Sequence, residues 1–212
     1  MKRTVMVAGA LIGVLATYSL VVRRWHLRWG ATDGEVLEAL PGDDLIADPD
    51  LVSTRAVSID AGADRVWPWL AQLGQGRGGF YSYDVLENVI ARCGIHSANR
   101  IVPEWQTIEV GDSVRLHPDV ALDVVVVDPG RALVLRGGVP ITKADAASAK
   151  APFDFTWTFV VHDAAAGVTR LVMRERYDYT HAWVRAMVEP VEAASFVMSQ
   201  KMLRGIRDRA ER

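Results

Sequence analysis

Apolar and polar residues alternate in short runs after residue 100, which predicts a series of β-strands. Five of these runs are rich in β-branched and aromatic residues and cover 113–117, 122–127, 132–136, 153–161 and 170–179. An earlier run, STRAVSID, predicts a strand that ends at Asp60. Asp128, Pro129 and Gly130 form a tight-turn sequence, and HDAAAGV forms a looser one, so two hairpins are expected. Residues 137–150 follow neither period and are predicted to form a mobile loop.

Apolar spacings of three and four residues predict three helices. The first presents one apolar face made of Val66, Trp69, Leu70 and Leu73. The second covers 83–90, and its apolar side is predicted to be Val85, Leu86, Val89 and Ile90. The last covers 182–209 with an expected bend at Pro190, and its apolar stripe is predicted to be Met187, Val191, Ala194, Met198, Met202 and Ile206.

The N-terminus carries an apolar run that is long enough to cross a bilayer. Residues 4–22 include no charged side chain in 19 positions, and a helix of that length reaches about 28 Å. Three arginines and two tryptophans follow within 23–29, as at a membrane interface. We expect a single-pass cell-membrane anchor. A signal peptide and a buried helix are the alternatives, although the Ala-x-Ala site at 8–10 comes early for cleavage.

The charges around this run favour a cytoplasmic domain, since three arginines follow it and two basic residues precede it. Gly9 and Gly13 could let two such helices pack closely, which makes a homodimer an expectation. Thr32 and Glu35 form a capping box for a short helix. We therefore divide the chain into an anchor with its flank (1–30), a linker with a short helix (31–52) and a domain (53–212).

The composition fits one globular domain with an appendage. Half of the 212 residues are apolar and 24% are charged, which excludes a disordered chain. The net charge of −2 provides no broad basic surface, so no nucleic-acid partner is expected. A single cysteine and five histidines without metal-binding spacing lead us to expect no metal.

The stretch GQGRGG at 74–79 matches G-x-G-x-x-G, but its surroundings do not suit a dinucleotide. A predicted helix precedes it, the strands after it are joined by hairpins, and no acidic residue lies near Gly94. We therefore expect no cofactor. The glycines are interpreted as a flexible link between two short helices, where Arg77, Phe80 and Tyr81 could gate a cavity mouth.

The predicted order is a strand, two short helices, antiparallel strands and a long helix that could cover the sheet and leave an apolar cavity. This order resembles the START-like, or helix-grip, fold of the SRPBCC superfamily, which includes polyketide cyclases, coenzyme Q-binding proteins and lipid-transfer domains. VWPWLAQLGQGRGGFYSYDVLEN, NRIVPEWQTIEVGD and FVMSQKMLRGI resemble a bacterial polyketide cyclase/dehydrase-like subgroup over about residues 29–209. The resemblance implies an α+β fold in which a curved antiparallel sheet wraps a long C-terminal helix, here behind an N-terminal transmembrane helix. It implies no particular activity.

The alternation in RLVMRERYDY places Glu175 on one strand face with three apolar residues. A carboxyl group there needs a raised pKa or an arginine partner, for which Arg115 and Arg136 are candidates. Glu175, His96 and Glu104 are the candidate catalytic residues, each with a structural role as the alternative. The candidate ligand-binding residues are Tyr81, Tyr83, Phe80, Arg77, Trp105, Glu175, Arg115 and Met198.

These features lead to one expected function and two alternatives. The first is a membrane-anchored protein that binds a small hydrophobic ligand, such as a lipid, a quinone or a polyketide, between the sheet and the last helix. The second is a cyclase, dehydratase or hydrolase that uses acid–base residues in the same cavity. The third is a non-catalytic interaction or stress module in which the cavity has no role.

Overall fold

The computed structural model describes residues 21–89, 92, 94–138, 151–165 and 167–212. Along the chain, its elements are α1 (Arg23–Leu27), α2 (Asp33–Leu37), a 3₁₀ turn (Asp43–Ile46), β1 (Leu51–Ile59), α3 (Ala63–Ala71), α4 (Asp84–Val89), a second 3₁₀ turn (Pro103–Trp105), β2 (Ser113–His117), β3 (Val120–Asp128), β4 (Ala132–Gly137), β5 (Phe153–Ala165), β6 (Val168–Tyr179) and α5 (Ala182–Ala210).

The six strands form one antiparallel sheet in the order β1-β6-β5-β4-β3-β2. Every predicted strand is present within a few residues of its expected bounds. The Arg131 N–H donates to the Asp128 carbonyl at 2.8 Å, and Gly130 takes a φ of 80°, so the predicted tight turn closes the β3–β4 hairpin. The register shifts at three places along the ladders, and such bulges bend a sheet. The predicted loop at 137–150 lies almost wholly outside the described residues.

The glycine-rich segment connects α3 to α4, as the sequence predicted. Gly74 and Gly79 exchange two backbone hydrogen bonds of 3.1 and 3.0 Å, and the Gln75 N–H donates to the Arg115 carbonyl at 2.8 Å. Gly76 takes a φ of 78°, which a residue with a side chain rarely adopts. These bonds hold the link as a tight turn against β2, in place of the flexible link that was expected.

Helix α5 packs across one face of the sheet, which we call the inner face. The C-terminal half of its predicted stripe is buried, as at Met202 and Ile206. Over its N-terminal half the stripe is only partly buried, because Val191 is 65% exposed and Ala194 is also exposed. The buried positions there are Val184, Val188, Glu192, Phe196 and Ser199. Two of these positions, Glu192 and Ser199, are polar, so the most deeply buried side of the helix is rotated slightly from the predicted apolar stripe.

The N-terminal segment covers the opposite, outer face of the sheet. The capping box forms as predicted, with the Glu35 N–H donating to Thr32 Oγ1 at 3.2 Å. Arg170 and Arg174 reach from β6 to Glu35 and Asp43, each with an N–O distance of 2.5 Å. Residues 30–47 therefore lie along the outer face of the sheet.

Helix α1 packs beside α5 at the N-terminal half of that helix. Arg23 pairs with Glu189 at 3.0 Å, and the Trp25 ring meets the Phe196 ring edge-on at 5.2 Å. Among the residues that the structure describes, no helix is long and apolar enough to cross a membrane. The predicted anchor at 4–22, including Gly9 and Gly13, lies outside them except for its last two residues.

Candidate functional site

A cavity of about 460 Å³ lies between the inner face of the sheet and α5. Its size is within the range of small-molecule sites. Strands β5 and β6 supply aromatic walls because their alternate residues point inward. The lining also includes α4, β2 and α5, and comprises Phe80, Ser82, Glu87, Leu116, Phe153, Phe155, Trp157, Glu175, Tyr177, Met187, Val188, Val191, Glu192, Ser195, Met198, Ser199 and Met202.

The sheet side of the cavity contains a buried ionic network around Arg55. The Arg55 Nη1 donates to Glu175 Oε2 at 2.7 Å, and its Nη2 donates to Glu192 Oε1. Ser53 donates to the same Glu175 oxygen at 2.7 Å, and the Arg55 Nε donates to the His26 carbonyl at 3.0 Å. Each of these side chains is buried, so the network brings β1, β6, α5 and α1 together.

The charges in this network do not balance, since one guanidinium faces two carboxyl groups. Burial raises the pKa of Glu192 to about 7 against the opposing charge of Arg55, and the nearby Glu175 raises it further. The His26 Nδ1 lies 3.4 Å from Glu192 Oε2, and burial together with Arg55 and Arg23 lowers the pKa of His26. Glu192 therefore takes up a proton near neutral pH, which removes the surplus negative charge.

A further carboxyl group, Glu87, enters the cavity from α4. Its side chain is 8% exposed, and its Oε2 has no hydrogen-bond partner among the described residues. Burial raises the pKa of Glu87 to about 7, and the negative charge of Asp84 adds to the effect. A buried carboxyl group with this pKa exists in both protonation states near neutral pH, so it can accept or donate a hydrogen bond.

Hydrogen bonds to the following loop explain why α4 turns Glu87 inward. Asp84 accepts from the Ser97 N–H at 2.8 Å, and Asn88 exchanges two bonds of 2.7 Å with the Ile95 backbone. This orientation contradicts the predicted apolar side of the helix. Val85 and Val89 are 72% and 73% exposed, and Leu86 is also exposed.

Three of the predicted site residues line the cavity, namely Phe80, Glu175 and Met198. Glu175 points inward with the apolar residues of its strand face, and it has an arginine partner, which is one of the two arrangements that the sequence interpretation allowed. The predicted partners are wrong, because Arg136 pairs with Asp154 at 2.6 Å and Arg115 is exposed. The partner is Arg55, which faces the same side of the neighbouring strand.

Arg77, Tyr81 and Trp105 are packed into the scaffold behind the cavity wall. The Arg77 Nη2 donates to the Ala71 and Trp105 carbonyls at 3.0 and 2.6 Å, which holds the glycine turn in place. The Tyr81 hydroxyl donates to the Trp69 carbonyl at 3.0 Å, and burial raises the pKa of that phenol. Of the three residues proposed to gate the mouth, Phe80 alone lines the cavity.

His96, Glu104, Arg115 and Tyr83 are exposed and lie outside the cavity lining. Tyr83 borders a shallow depression beside α4. The structure does not bring His96 or Glu104 together with Glu175, so the three candidate catalytic residues do not form one site.

The sequence interpretation missed Arg55, Glu87 and Glu192, which carry most of the charge at the cavity. Arg55 could have been found, since the alternation in STRAVSID places it inward with Ser53 and Val57. Glu192 lies on the same face of α5 as Val188 and Ser199. A search for apolar residues does not detect it, because it is charged. Glu87 carries no periodic signal of its own, because its direction depends on hydrogen bonds from α4 to the loop that follows it.

No family model matches the chain, and no curated protein matches it. Several solved structures are similar to it in fold. The hypothetical protein jhp0584 from Helicobacter pylori is 12% identical with a TM-score of 0.50, over 82% of this chain and 95% of that protein. DynU16, from the dynemicin biosynthetic locus, is 17% identical with a TM-score of 0.41 over 74% of this chain. CalU16 from Micromonospora echinospora is 16% identical with a TM-score of 0.37, over 76% of this chain and 83% of its own.

The chain spans about half of DynU16, 47% of its length. At these identities the likenesses concern the fold alone. The fold is α+β, with a curved six-stranded antiparallel sheet and a long C-terminal helix, and is consistent with the helix-grip type that the sequence resemblance implied.

Proposed function

We propose that the chain is a membrane-anchored protein that binds a small hydrophobic molecule of the lipid, quinone or polyketide kind. The observation that carries this proposal is the cavity between the sheet and α5, whose walls are mostly aromatic and aliphatic. A folded domain of this size normally fills such a space with side chains. The resemblance to the SRPBCC superfamily and its polyketide cyclase-like subgroup agrees with a ligand-binding or cyclase-like fold and does not choose between the two.

The position of α1 supports the membrane part of the proposal. An anchor that ended at residue 22 would join the domain where Arg23 pairs with Glu189, near the N-terminal half of α5. Met187 and Val191 line the cavity on the same half of that helix. The domain would then hold its cavity near a bilayer that contains hydrophobic molecules, with the domain on the cytoplasmic side and Gly9 and Gly13 available for dimerisation.

Ligand binding is tested by the melting temperature of the detergent-extracted full chain against isoprenoid quinones, fatty alcohols and phospholipids. A ligand at 100 times its Kd stabilises the folded state by about 2.7 kcal/mol, which raises the melting temperature by roughly 5–10 °C in a domain of this size. A panel without any shift would count against the proposal.

An acid–base enzyme is the second candidate, and Glu87 is the observation that favours it. A carboxyl group with a pKa of about 7 inside an apolar cavity suits proton transfer at neutral pH. The test is to incubate the protein with the molecule it retains and to search for a product by mass spectrometry. A product that forms with the wild type and not with Glu87→Gln would favour the enzyme. The open cavity makes an interaction module with a solid core the weaker proposal.

A further inference from the structure

The charged groups on the cavity wall are all carboxyl groups. Among the described residues, the lining includes Glu87, Glu175 and Glu192 and no lysine, arginine or histidine. Arg55 lies beneath the wall and is fully buried, with its two terminal nitrogens bonded to Glu175 and Glu192. An anionic group that entered the cavity would therefore find no free cation to pair with, and above pH 7 it would meet the ionised carboxylate of Glu87.

Glu87 differs from the other two carboxyl groups because no described residue forms a hydrogen bond with its Oε2. Its Oε2 is buried without a hydrogen bond to any described residue, whereas Glu175 accepts bonds from Arg55 and Ser53. Buried polar atoms in folded proteins are nearly always hydrogen-bonded, and an exception at a cavity wall points to a missing partner. A group on a bound molecule can supply that bond.

The walls around Glu87 restrict what the rest of this molecule can be. Phe80, Leu116 and Met198 share the lining with Glu87, and Phe153 and Phe155 of β5 continue the apolar surface. Such a surface stabilises a hydrocarbon or ring system and leaves room for few polar groups. The bound molecule must therefore be hydrophobic over most of its length.

We propose that the cavity selects a hydrophobic molecule whose polar end is a hydrogen-bond donor without negative charge, such as an alcohol or an amine, which donates to Glu87. Fatty acids and other anionic amphiphiles are rejected. This inference rests on the proposed ligand-binding function and specifies the class of ligand for the same cavity.

Four probes with the same ten-carbon chain test the inference by calorimetry on the full-length protein at pH 7.5: 1-decanol, decylamine, decyl methyl ether and decanoate. Decanol and decylamine should each bind about 3- to 10-fold more tightly than the ether, which cannot donate a hydrogen bond. Decanoate should bind at least about 10-fold more weakly than decanol, because its carboxylate faces the acidic wall.

Two variants at Glu87 and one matched control locate the effect. Glu87→Leu should reduce decanol binding to the level of the ether and should improve decanoate binding. Glu87→Gln keeps an acceptor oxygen without charge, so it should retain the preference for decanol and also improve decanoate binding. Val85→Leu changes an exposed residue of the same helix and should leave the order of the probes unchanged. Melting temperatures identify any variant that fails to fold. If Glu87→Leu does not fold, the decanoate binding of Glu87→Gln tests the inference.

The results separate failure of the inference from failure of the proposed function. Equal binding of all four probes, or tightest binding of decanoate, would overturn the selection by Glu87 and leave hydrophobic ligand binding in place. Absence of binding by every probe would count against the ligand-binding function itself.

Discussion

Arg55 determines the arrangement of the inner face at the level of single residues. Its guanidinium remains charged at any physiological pH, so a fully buried arginine must be surrounded by acceptors. Glu175, Glu192 and the His26 carbonyl fill that role, and each comes from a different element. The network therefore fixes the relative position of β1, β6, α5 and α1 and specifies the geometry more than it adds stability.

Replacing Arg55 with methionine should lower the free energy of unfolding by about 3–5 kcal/mol, because two buried carboxyl groups lose their partner. Denaturant unfolding measures this loss. The matched control is Arg136→Met, which removes a half-exposed pair with Asp154 and should cost about 1 kcal/mol or less. Similar small losses in both variants would show that the buried network is dispensable.

Glu87 should make stability depend on pH between about 5 and 8. Its folded-state pKa of about 7 lies above the ordinary value of 4.5, so the folded state holds a proton that the unfolded chain has released. This contribution is complete below pH 4.5 and disappears as the pH rises through 7. Between pH 5 and 8 the wild type should lose about 2–3 kcal/mol relative to Glu87→Gln. Parallel pH profiles in chemical denaturation would contradict the buried position of this carboxyl group.

The elements differ in how far their sequence determines their orientation. In β6 the alternation of period two was enough to place Glu175 and Tyr177 on one face, because a strand has only two faces, and the structure shows that this face is the inner one. In α5 the buried side includes Glu192 and Ser199, so the apolar stripe marks the cavity-lining Met187 and Val191 but misses the most deeply buried positions. Helix α4 has fewer than two turns, and its orientation is set by the hydrogen bond of Asp84 to the loop that follows the helix. The hydrophobic pattern of the helix does not reveal such a bond.

The pairing of Arg55 with Glu175 could not be predicted for a related reason. The sequence indicates that both residues face inward, but it does not show that β1 and β6 are neighbours. Their contact depends on the strand order, in which β1, the first strand, pairs with β6, the last. The fold class was therefore predictable from periodicity and resemblance, whereas the site depended on strand order and tertiary hydrogen bonds.

Gly205 should be required where α5 crosses the loop before α4. A Cβ at this position would clash with the Tyr81 carbonyl oxygen, so the two backbones approach too closely for any side chain. Gly205→Ala should cost about 1–3 kcal/mol through overpacking, although alanine is the better helix former. Gly34→Ala in α2 meets one side-chain atom at 3.8 Å and should gain up to about 1 kcal/mol. Thermal unfolding of the two variants compares them, and a gain in both would exclude the close contact.

At the scale of the whole molecule, the proposed anchor leads into the helix that packs beside the cavity. The uncharged run at 4–22 precedes α1, and α1 is fixed to α5 by the Arg23–Glu189 pair and by the Trp25–Phe196 contact. The segment that follows the proposed anchor therefore contacts α5, the helix that also lines the cavity. Membrane attachment and ligand binding would then belong to one function.

The anchor predicts that the full-length protein remains in the membrane fraction after an alkaline carbonate wash. Two charges in the run, as in the double variant Leu11→Asp and Leu15→Asp, should release it, because each aspartate costs about 2.5–3.5 kcal/mol at the centre of a bilayer. Leu11→Ile with Leu15→Ile is the control and should stay membrane-bound. Release of the wild type by the wash would contradict the proposed membrane anchor.

Native mass spectrometry of the full-length protein, released gently from membranes, tests the central claim most directly. The wild type should carry an additional mass that corresponds to a small hydrophobic molecule. Ser199→Phe places a large side chain in the cavity and should abolish that mass, while Val197→Phe, on the exposed side of the same helix, should retain it. A wild type without any bound molecule, or the same mass on Ser199→Phe, would contradict the claim that this cavity holds a hydrophobic ligand.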